Sequence, residues 1–391
     1  MRHWGRRNEE GRSVLLIPGG LSAFLVFCVV SLLGACAGLP DEAALTPVQA
    51  TVPGAQLVTI YAATTRERKG PQSVLYTSEP AAELNFARYT VSVPPGHKPT
   101  EIEWPDGKAD PKRSFATVKE ERLTEAEFYR QITARNGRGE LSPGRDDVGI
   151  FVHGYNTSFA ESLFRLAQIT VDSDPNDVPV LFAWPSEAAV TGYVADKDAV
   201  TYSRDYLAGV LTHLAKDRDV GDITLFGHSM GGWLVMEVLR QLRLSGQGDV
   251  ISGIEEVILA SPDIDIDVFR TQIAVIGRNH PPMTILVSKQ DRALAISRRV
   301  GGGRPRLGGV DVDDPEIQQL AVQYNLRIID ISQLPKTDFL GHDQFVTLAA
   351  RLGSTGRQGF GQLGKAGAFV FDAVGNTVAS PFRIASDVLS Q

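Results

Sequence analysis

The sequence predicts an α/β protein: one mostly parallel central sheet with helices on both faces. Short apolar, β-branched runs recur at residues 147–152, 180–183, 222–226, 256–260, 283–288 and 326–331. Stretches with helical apolar spacing separate many of them, at 159–170, 199–216, 233–242 and 268–276. The runs are near-continuously apolar, as strands covered on both faces must be. At 391 residues and 43% hydrophobic, the chain can bury one large core of this kind with additions.

Taken in order, the chain opens with Arg2, Arg6, Arg7 and Arg12 ahead of an apolar core at 21–33 that ends Leu33-Gly34-Ala35-Cys36. A basic start, an apolar core and a small-residue ending read as an export signal. Leucine, two small residues and a cysteine resemble the lipobox of bacterial lipoproteins. That resemblance implies a signal peptide over residues 1–35 and lipidation of Cys36. The protein is then expected in the bacterial cell envelope, anchored by acyl chains to a membrane and facing the periplasm or the surface. The alternative is an uncleaved anchor helix interrupted by Pro18-Gly19-Gly20. Cys28 would leave with the signal and Cys36 would carry lipid, so no thiol would remain for a disulfide. Loss of the segment's four arginines and two glutamates would shift the net charge from −7 to about −9. No basic stripe with interleaved aromatics occurs, so nucleic acid is not an expected partner. Nor would a chain of this charge be drawn electrostatically to anionic lipid.

Residues 36–56, rich in Ala, Pro and Thr, read as a tether. Residues 57–65 and 86–93 read as strands, the second alternating and ended by Pro94-Pro95, with a polar loop at 66–83. These N-terminal strands are expected to pair antiparallel. The stretch 96–145 carries Pro99, Pro105, Pro111, many charges and one helical pattern at 125–135. It reads as a surface insertion beside the mouth of the site. The compact domain is expected over 57–352, and the Gly/Ser/Ala-rich tail at 353–391 is assigned no role. Only a short segment separates Pro262 from Pro282, which leaves no room for a large cap.

The strand at 222–226 runs into Gly227-His228-Ser229-Met230-Gly231-Gly232, and a helical pattern follows at once. Strand, sharp turn and helix form the context of a nucleophile elbow. The serine sits at a strained backbone position, so the residues two before and two after must lack bulk. The helix N-terminus then aims main-chain N–H groups at the same place.

A serine nucleophile needs a base, and histidine suits neutral pH. Of seven histidines, His3 belongs to the signal, while His97, His213 and His280 have no strand end beside them. His153 ends an earlier strand, and His228 is expected to point elsewhere on the turn. His342 remains, in the loop after the last strand. Asp291, after the strand at 283–288, is the favoured acid to orient it. Asp263, after the preceding strand, is the alternative acid, or a helix N-cap like its neighbours Asp265 and Asp267.

The order Ser229, Asp291, His342 resembles the alpha/beta-hydrolase superfamily over about residues 147–351. Three stretches are closer still to a bacterial branch of alpha/beta hydrolases of unknown function, often lipoproteins. They are Val58-Thr59-Ile60-Tyr61-Ala62-Ala63-Thr64-Thr65-Arg66, Phe151-Val152-His153-Gly154-Tyr155-Asn156-Thr157-Ser158-Phe159, and Ala260-Ser261-Pro262-Asp263-Ile264-Asp265. The resemblance implies an alpha/beta-hydrolase fold and a catalytic triad of those three residues. It also implies an oxyanion hole from the main-chain N–H groups of Tyr155 and Met230. The longer His-Gly-Gly-Gly form of many lipases is absent here. Trp184, Tyr155 and His228 are candidate pocket residues.

No metal site or phosphate-binding glycine loop is expected, and no cofactor. The expected activity is cleavage of a carboxylic ester or related acyl bond in a small-molecule or lipid-like substrate. A thioesterase or peptidase of the same fold is the alternative, as is a non-catalytic envelope lipoprotein that uses the scaffold for binding.

Overall fold

The computed structural model describes residues 42–48, 52–135, 145–173 and 177–354. The expected signal peptide, Cys36 and residues 355–391 lie outside the described residues.

The long strands β1 (Gln56–Arg68) and β2 (Tyr76–Val93) pair antiparallel, and β3 (Ala116–Leu123) adds to the outer edge of β2. After α1 (Glu125–Ile132) the chain alternates through β4 (Asp146–Val152), α2 (Phe159–Ser173), β5 (Val178–Ala183), α3 (Tyr193–Lys216), β6 (Val220–His228) and α4 (Met230–Leu244). There follow the short α5 (Gly248–Ser252), β7 (Glu256–Ala260), α6 (Ile266–Ile276), β8 (Met283–Val287), α7 (Arg292–Val300), α8 (Pro315–Tyr324), β9 (Leu326–Asp330) and α9 (Gln344–Ser354).

The described strands form one sheet in the order β3-β2-β1-β5-β4-β6-β7-β8-β9, in which β2 alone runs against the others. Strand residues alternate between two apolar layers. Ile150, Val152 and Leu225 face the layer that holds α1, α3, α4, α6 and α8, while Phe151 and Phe226 face α2 and α9. Covering both faces is what the apolar runs require. From β4 the chain steps out to β5 and then returns past β4 to β6, so the winding reverses between neighbouring strands. A crevice opens at the carboxyl ends of strands at such a switch point, where α/β proteins bind ligands. Between β7 and β8 there is only α6, and no large cap is built there.

Two expectations change. The stretch 96–145 carries an edge strand and a core helix: Phe128 and Ile132 of α1 are buried, and Phe128 packs on Tyr61 and Phe86. Tyr129 stacks on His213, near the end of α3 that feeds the amino end of β6. Helix α1 therefore packs at the end of the sheet away from the Ser229 turn. The prolines and charges of the stretch mask this, because an edge strand and a single-sided helix need few apolar residues. Part of the expected tether is also packed. Residues Glu42–Leu45 form a 3₁₀ turn that buries Leu45, and the Val48 N–H donates to Thr117 O at 2.9 Å.

Candidate active site

β6 ends at His228, and Ser229 takes φ 54° and ψ −120° before α4 begins at Met230. A positive φ in a side-chain-bearing residue costs about 1–3 kcal/mol and persists only where surroundings over-determine it. Here they do. Ser229 N–H donates to Ala260 O at 2.9 Å, and Ser229 O accepts from Asp263 N–H at 3.1 Å and Gly232 N–H at 3.0 Å. The flanking glycines permit the turn. A Cβ on Gly227 would lie 2.7 Å from Gly232 Cα, and one on Gly231 would lie 2.3 Å from Val152 O.

Val152 belongs to β4, the neighbouring strand, whose continuation His153-Gly154-Tyr155 passes directly against the turn. A Cβ on Gly154 would meet Ser229 Cβ at 2.9 Å. The His153 ring lies within hydrogen-bond distance of two carbonyls, Gly154 O at 2.9 Å and Trp184 O at 3.1 Å, and stacks on Trp184. Trp184 Nε1–H donates back to His153 O at 2.8 Å. Burial, then the Arg66 charge, pushes His153 down to about 3, so the ring is neutral and donates through one nitrogen. Trp184 is 0% exposed. It therefore braces the loop from within the core and does not line an open pocket, since its ring is occupied by His153 and its N–H by a carbonyl.

The loop after Gly154 is clamped by groups that sequence reasoning missed. Asn156, at φ 55°, donates its N–H to Asp196 Oδ2 at 3.2 Å, and Thr157 N–H donates to Ser186 Oγ at 3.2 Å. Ser186 Oγ–H in turn donates to Asp196 Oδ2 at 2.7 Å. Arg66, buried at the end of β1, donates to Thr157 O at 2.9 Å and to Ser186 O at 3.1 Å. The Thr64-Thr65-Arg66 motif was the one visible sign of this clamp. Tyr155 N–H has no main-chain acceptor among the described residues, and Met230 N–H sits in the first turn of α4 without an intrahelical one.

After β8, Asp291 caps α7, accepting the Leu294 N–H at 2.9 Å through Oδ1, while its Oδ2 accepts from His342 Nδ1–H at 2.7 Å. Asp263 pairs elsewhere: it accepts from Ser297 Oγ–H at 2.6 Å and Tyr193 OH at 3.1 Å, and faces Arg306 Nε at 3.3 Å. His342 has a side chain 16% exposed. Burial alone would lower its pKa, but the Asp291 carboxylate and its hydrogen bond, with Asp343 and Asp263 beyond, raise it to about 9. Asp343 is itself bridged to Arg165 at 2.7 Å.

His228 does not point away from the site. Its ring packs against those of His342 and Phe345, each centroid at 4.7 Å. Burial, then the charge of His342, pushes it down to about 3, so it is neutral beside Asp343. Ser229 Oγ has no hydrogen-bond partner among the described residues, and none joins it to His342. Among the described residues no group of three His, Cys, Asp or Glu side chains could hold a metal ion.

A serine on a strand-to-helix elbow, at the switch point of a doubly covered sheet, defines the alpha/beta-hydrolase class. Residues 138–352 match the family model described as "Alpha/beta hydrolase of unknown function (DUF900)", and the chain belongs to that family. Solved structures similar to it include Est1E from Butyrivibrio proteoclasticus, at 14% identity, covering 55% of this chain and 87% of that one with a TM-score of 0.33. Another is esterase Est22, at 12% identity, covering 86% and 88% with a TM-score of 0.31. No curated protein matches the chain.

Proposed function

We propose that this hydrolase-family protein cleaves a carboxylic ester or related acyl bond through an acyl-enzyme on Ser229. The observation that carries the reading is the Asp291–His342 hydrogen bond, formed where the chain also holds a serine at positive φ on a glycine-flanked elbow.

In this mechanism Ser229 Oγ attacks the substrate carbonyl carbon while His342 Nε2 takes the hydroxyl proton. Asp291 holds the proton on Nδ1, which leaves the Nε2 lone pair for this task. The N–H groups of Tyr155 and Met230 receive the oxyanion, an interaction typically worth about 2.7–4 kcal/mol per donor. His342 passes its proton to the leaving oxygen as the C–O bond breaks. Water, deprotonated by the same nitrogen, then releases the acid and restores Ser229. No step calls for a cofactor. The raised pKa of His342 means that the free base grows with rising pH.

Fluorophosphonate labelling tests the reading with wild type, Ser229→Ala and His342→Ala. Labelling of wild type that is lost in Ser229→Ala is the expected result, and an ester panel with a thioester and a peptide then separates the alternatives. Full ester turnover by Ser229→Ala would end it. A folded wild type that takes no label would favour the non-catalytic binding scaffold.

We also propose, from the N-terminal sequence, that Cys36 is lipidated and anchors the domain in the cell envelope. Incorporation of a clickable palmitate analogue in the intact chain, lost in Cys36→Ala, is the matching test.

A further inference from the structure

We propose that the outer face of α7, together with Phe339, is a contact surface for anionic phospholipid. The helix buries only Leu294 and Ser297. Arg292, Ile296 and Val300, spaced four apart, form one exposed stripe, with Arg299 beside it. Ile296 is 50% exposed and Val300 61%, and Phe339 of the adjoining loop is 84% exposed with the Arg292 guanidinium 5.5 Å from its ring centre.

The charges of this patch are left open. Among the described residues, Arg292, Arg298 and Arg299 pair with no carboxylate, whereas Arg304 faces Asp265 at 3.8 Å and Arg306 faces Asp263 at 3.3 Å. Arg298 donates its Nε–H to Gly303 O at 3.0 Å and keeps its charge outward.

Single exposed apolar side chains are ordinary. Three large ones gathered among unpaired arginines, with no acid on the stripe, are the pattern of an interface-seeking helix. The apolar tips enter the boundary between headgroups and acyl chains, and the guanidinium forks take phosphate oxygens. The chain's net charge of −7 opposes approach to an anionic bilayer. Attraction is decided within a Debye length of about 8–10 Å, however, and there Arg292, Arg298 and Arg299 outnumber Asp338, the half-buried carboxylate beside Phe339 whose oxygens accept the Leu340 and Asp343 N–H groups. Charge complementarity therefore favours a phosphate-bearing lipid surface over a protein partner.

The patch adjoins the candidate site. Asp291 caps α7, and the Arg292 N–H donates to Leu340 O at 2.9 Å, two residues before His342. Docking would bring a bilayer to the rim beside that histidine. Docking of this face is independent of hydrolysis and is measured without substrate.

The full chain, with Cys28 and Cys36 replaced by serine, is labelled with the polarity-sensitive dye NBD at Ile296→Cys or at Val322→Cys. Val322, on α8 at 54% exposure, is the control. Each protein is mixed with phosphatidylcholine vesicles or with vesicles that also contain phosphatidylglycerol. The expected result is a blue shift and quenching by spin-labelled lipid at 296 only, in phosphatidylglycerol vesicles only, and reversed by high salt. Adding Arg292→Gln and Arg299→Gln should weaken this docking roughly thirtyfold. Unchanged thermal melting shows that the variant folds. A silent label at 296, equal responses in both vesicle types, or an equal response at 322 overturns the proposal. So does a vesicle-independent shift that grows with protein concentration, which would assign the face to a second copy of the chain.

Discussion

Asp291 Oδ2 lies 2.7 Å from His342 Nδ1 while Asp291 Oδ1 accepts the Leu294 N–H, so one carboxylate both starts a helix and orients the proposed base. These two tasks separate by mutation. Asp291→Asn keeps a capping oxygen but loses the charge, and is expected to reduce ester turnover about 10⁴-fold with little change in melting temperature. Asp291→Ala should lose the cap as well, at about 1 kcal/mol of stability. Turnover of a nitrophenyl ester and a urea melt measure both.

Asp263 gives the converse result. Its carboxylate is buried against Arg306, Ser297 and Tyr193. Removing one partner of a buried ion pair strands the other charge, at roughly 3–5 kcal/mol. Asp263→Ala should therefore lose stability first and turnover only through unfolding. A well-folded Asp263→Ala with the activity of Ser229→Ala would make Asp263 the acid.

The histidines set opposite pH limits. His342 is raised from 6.5 to about 9, so its contribution to stability is complete below 6.5 and is lost as pH rises through 9. Hydrolysis should rise over the same interval, with a half-point near 9, because only the neutral ring accepts the serine proton. His153 and His228 are pushed down to about 3, so their contribution is present above 6.5 and is lost as pH falls toward 3. Denaturant midpoints across the pH range should form a dome whose alkaline side falls as turnover climbs. A rate that is flat with pH would mean that His342 is not the base.

Adjacent glycines should respond differently to one methyl group. Gly231→Ala places a Cβ 2.3 Å from Val152 O, a main-chain atom that cannot yield without moving β4. Gly232→Ala meets Pro262 Cβ at 3.3 Å, where a small shift suffices. The first should cost about 1–3 kcal/mol or more and abolish fluorophosphonate labelling, while the second keeps most of both. Comparison of label yield with the melting curve checks the pair.

Asp196 reaches the proposed oxyanion donor only through main chain. It fixes Asn156 N–H directly and Thr157 N–H through Ser186. Asp196→Ala should let the Tyr155 N–H drift and lower kcat more than it changes KM. The donor's own worth, about 2.7–4 kcal/mol, is the upper bound. An effect on KM alone would place Asp196 in substrate binding instead.

The parallel strands and the elbow were legible because each rests on local pattern: a continuous apolar run, or glycines two residues either side of a serine. That Asp291 and His342 lie together was legible from chain order and from the place of each after a strand, and their hydrogen bond shows that contact. The edge strand β3 was not, since its sequence Ala116-Thr117-Val118-Lys119-Glu120-Glu121-Arg122-Leu123 is charged, as a strand at a sheet edge can be. The clamp of Arg66, Ser186 and Asp196 was hidden for another reason. Its members come from three separate segments, and what they hold is main chain, which leaves no residue pattern. The placement of His228 against His342 goes with its packing on Phe345, a contact between segments over a hundred residues apart.

The two halves of the site stand on unequal ground. Ser229 and Tyr155 follow β6 and β4, which are central and paired on both sides. His342 follows β9, an edge strand in which Arg327, Ile329 and Asp330 are only partly covered. Local opening begins where neighbours are fewest. Under mild denaturant the molecule should therefore fail from one margin inward, so that the proposed base is lost while the serine turn is still intact. Catalysis would then vanish before the spectroscopic signature of the sheet does, and a refolding chain would recover it last.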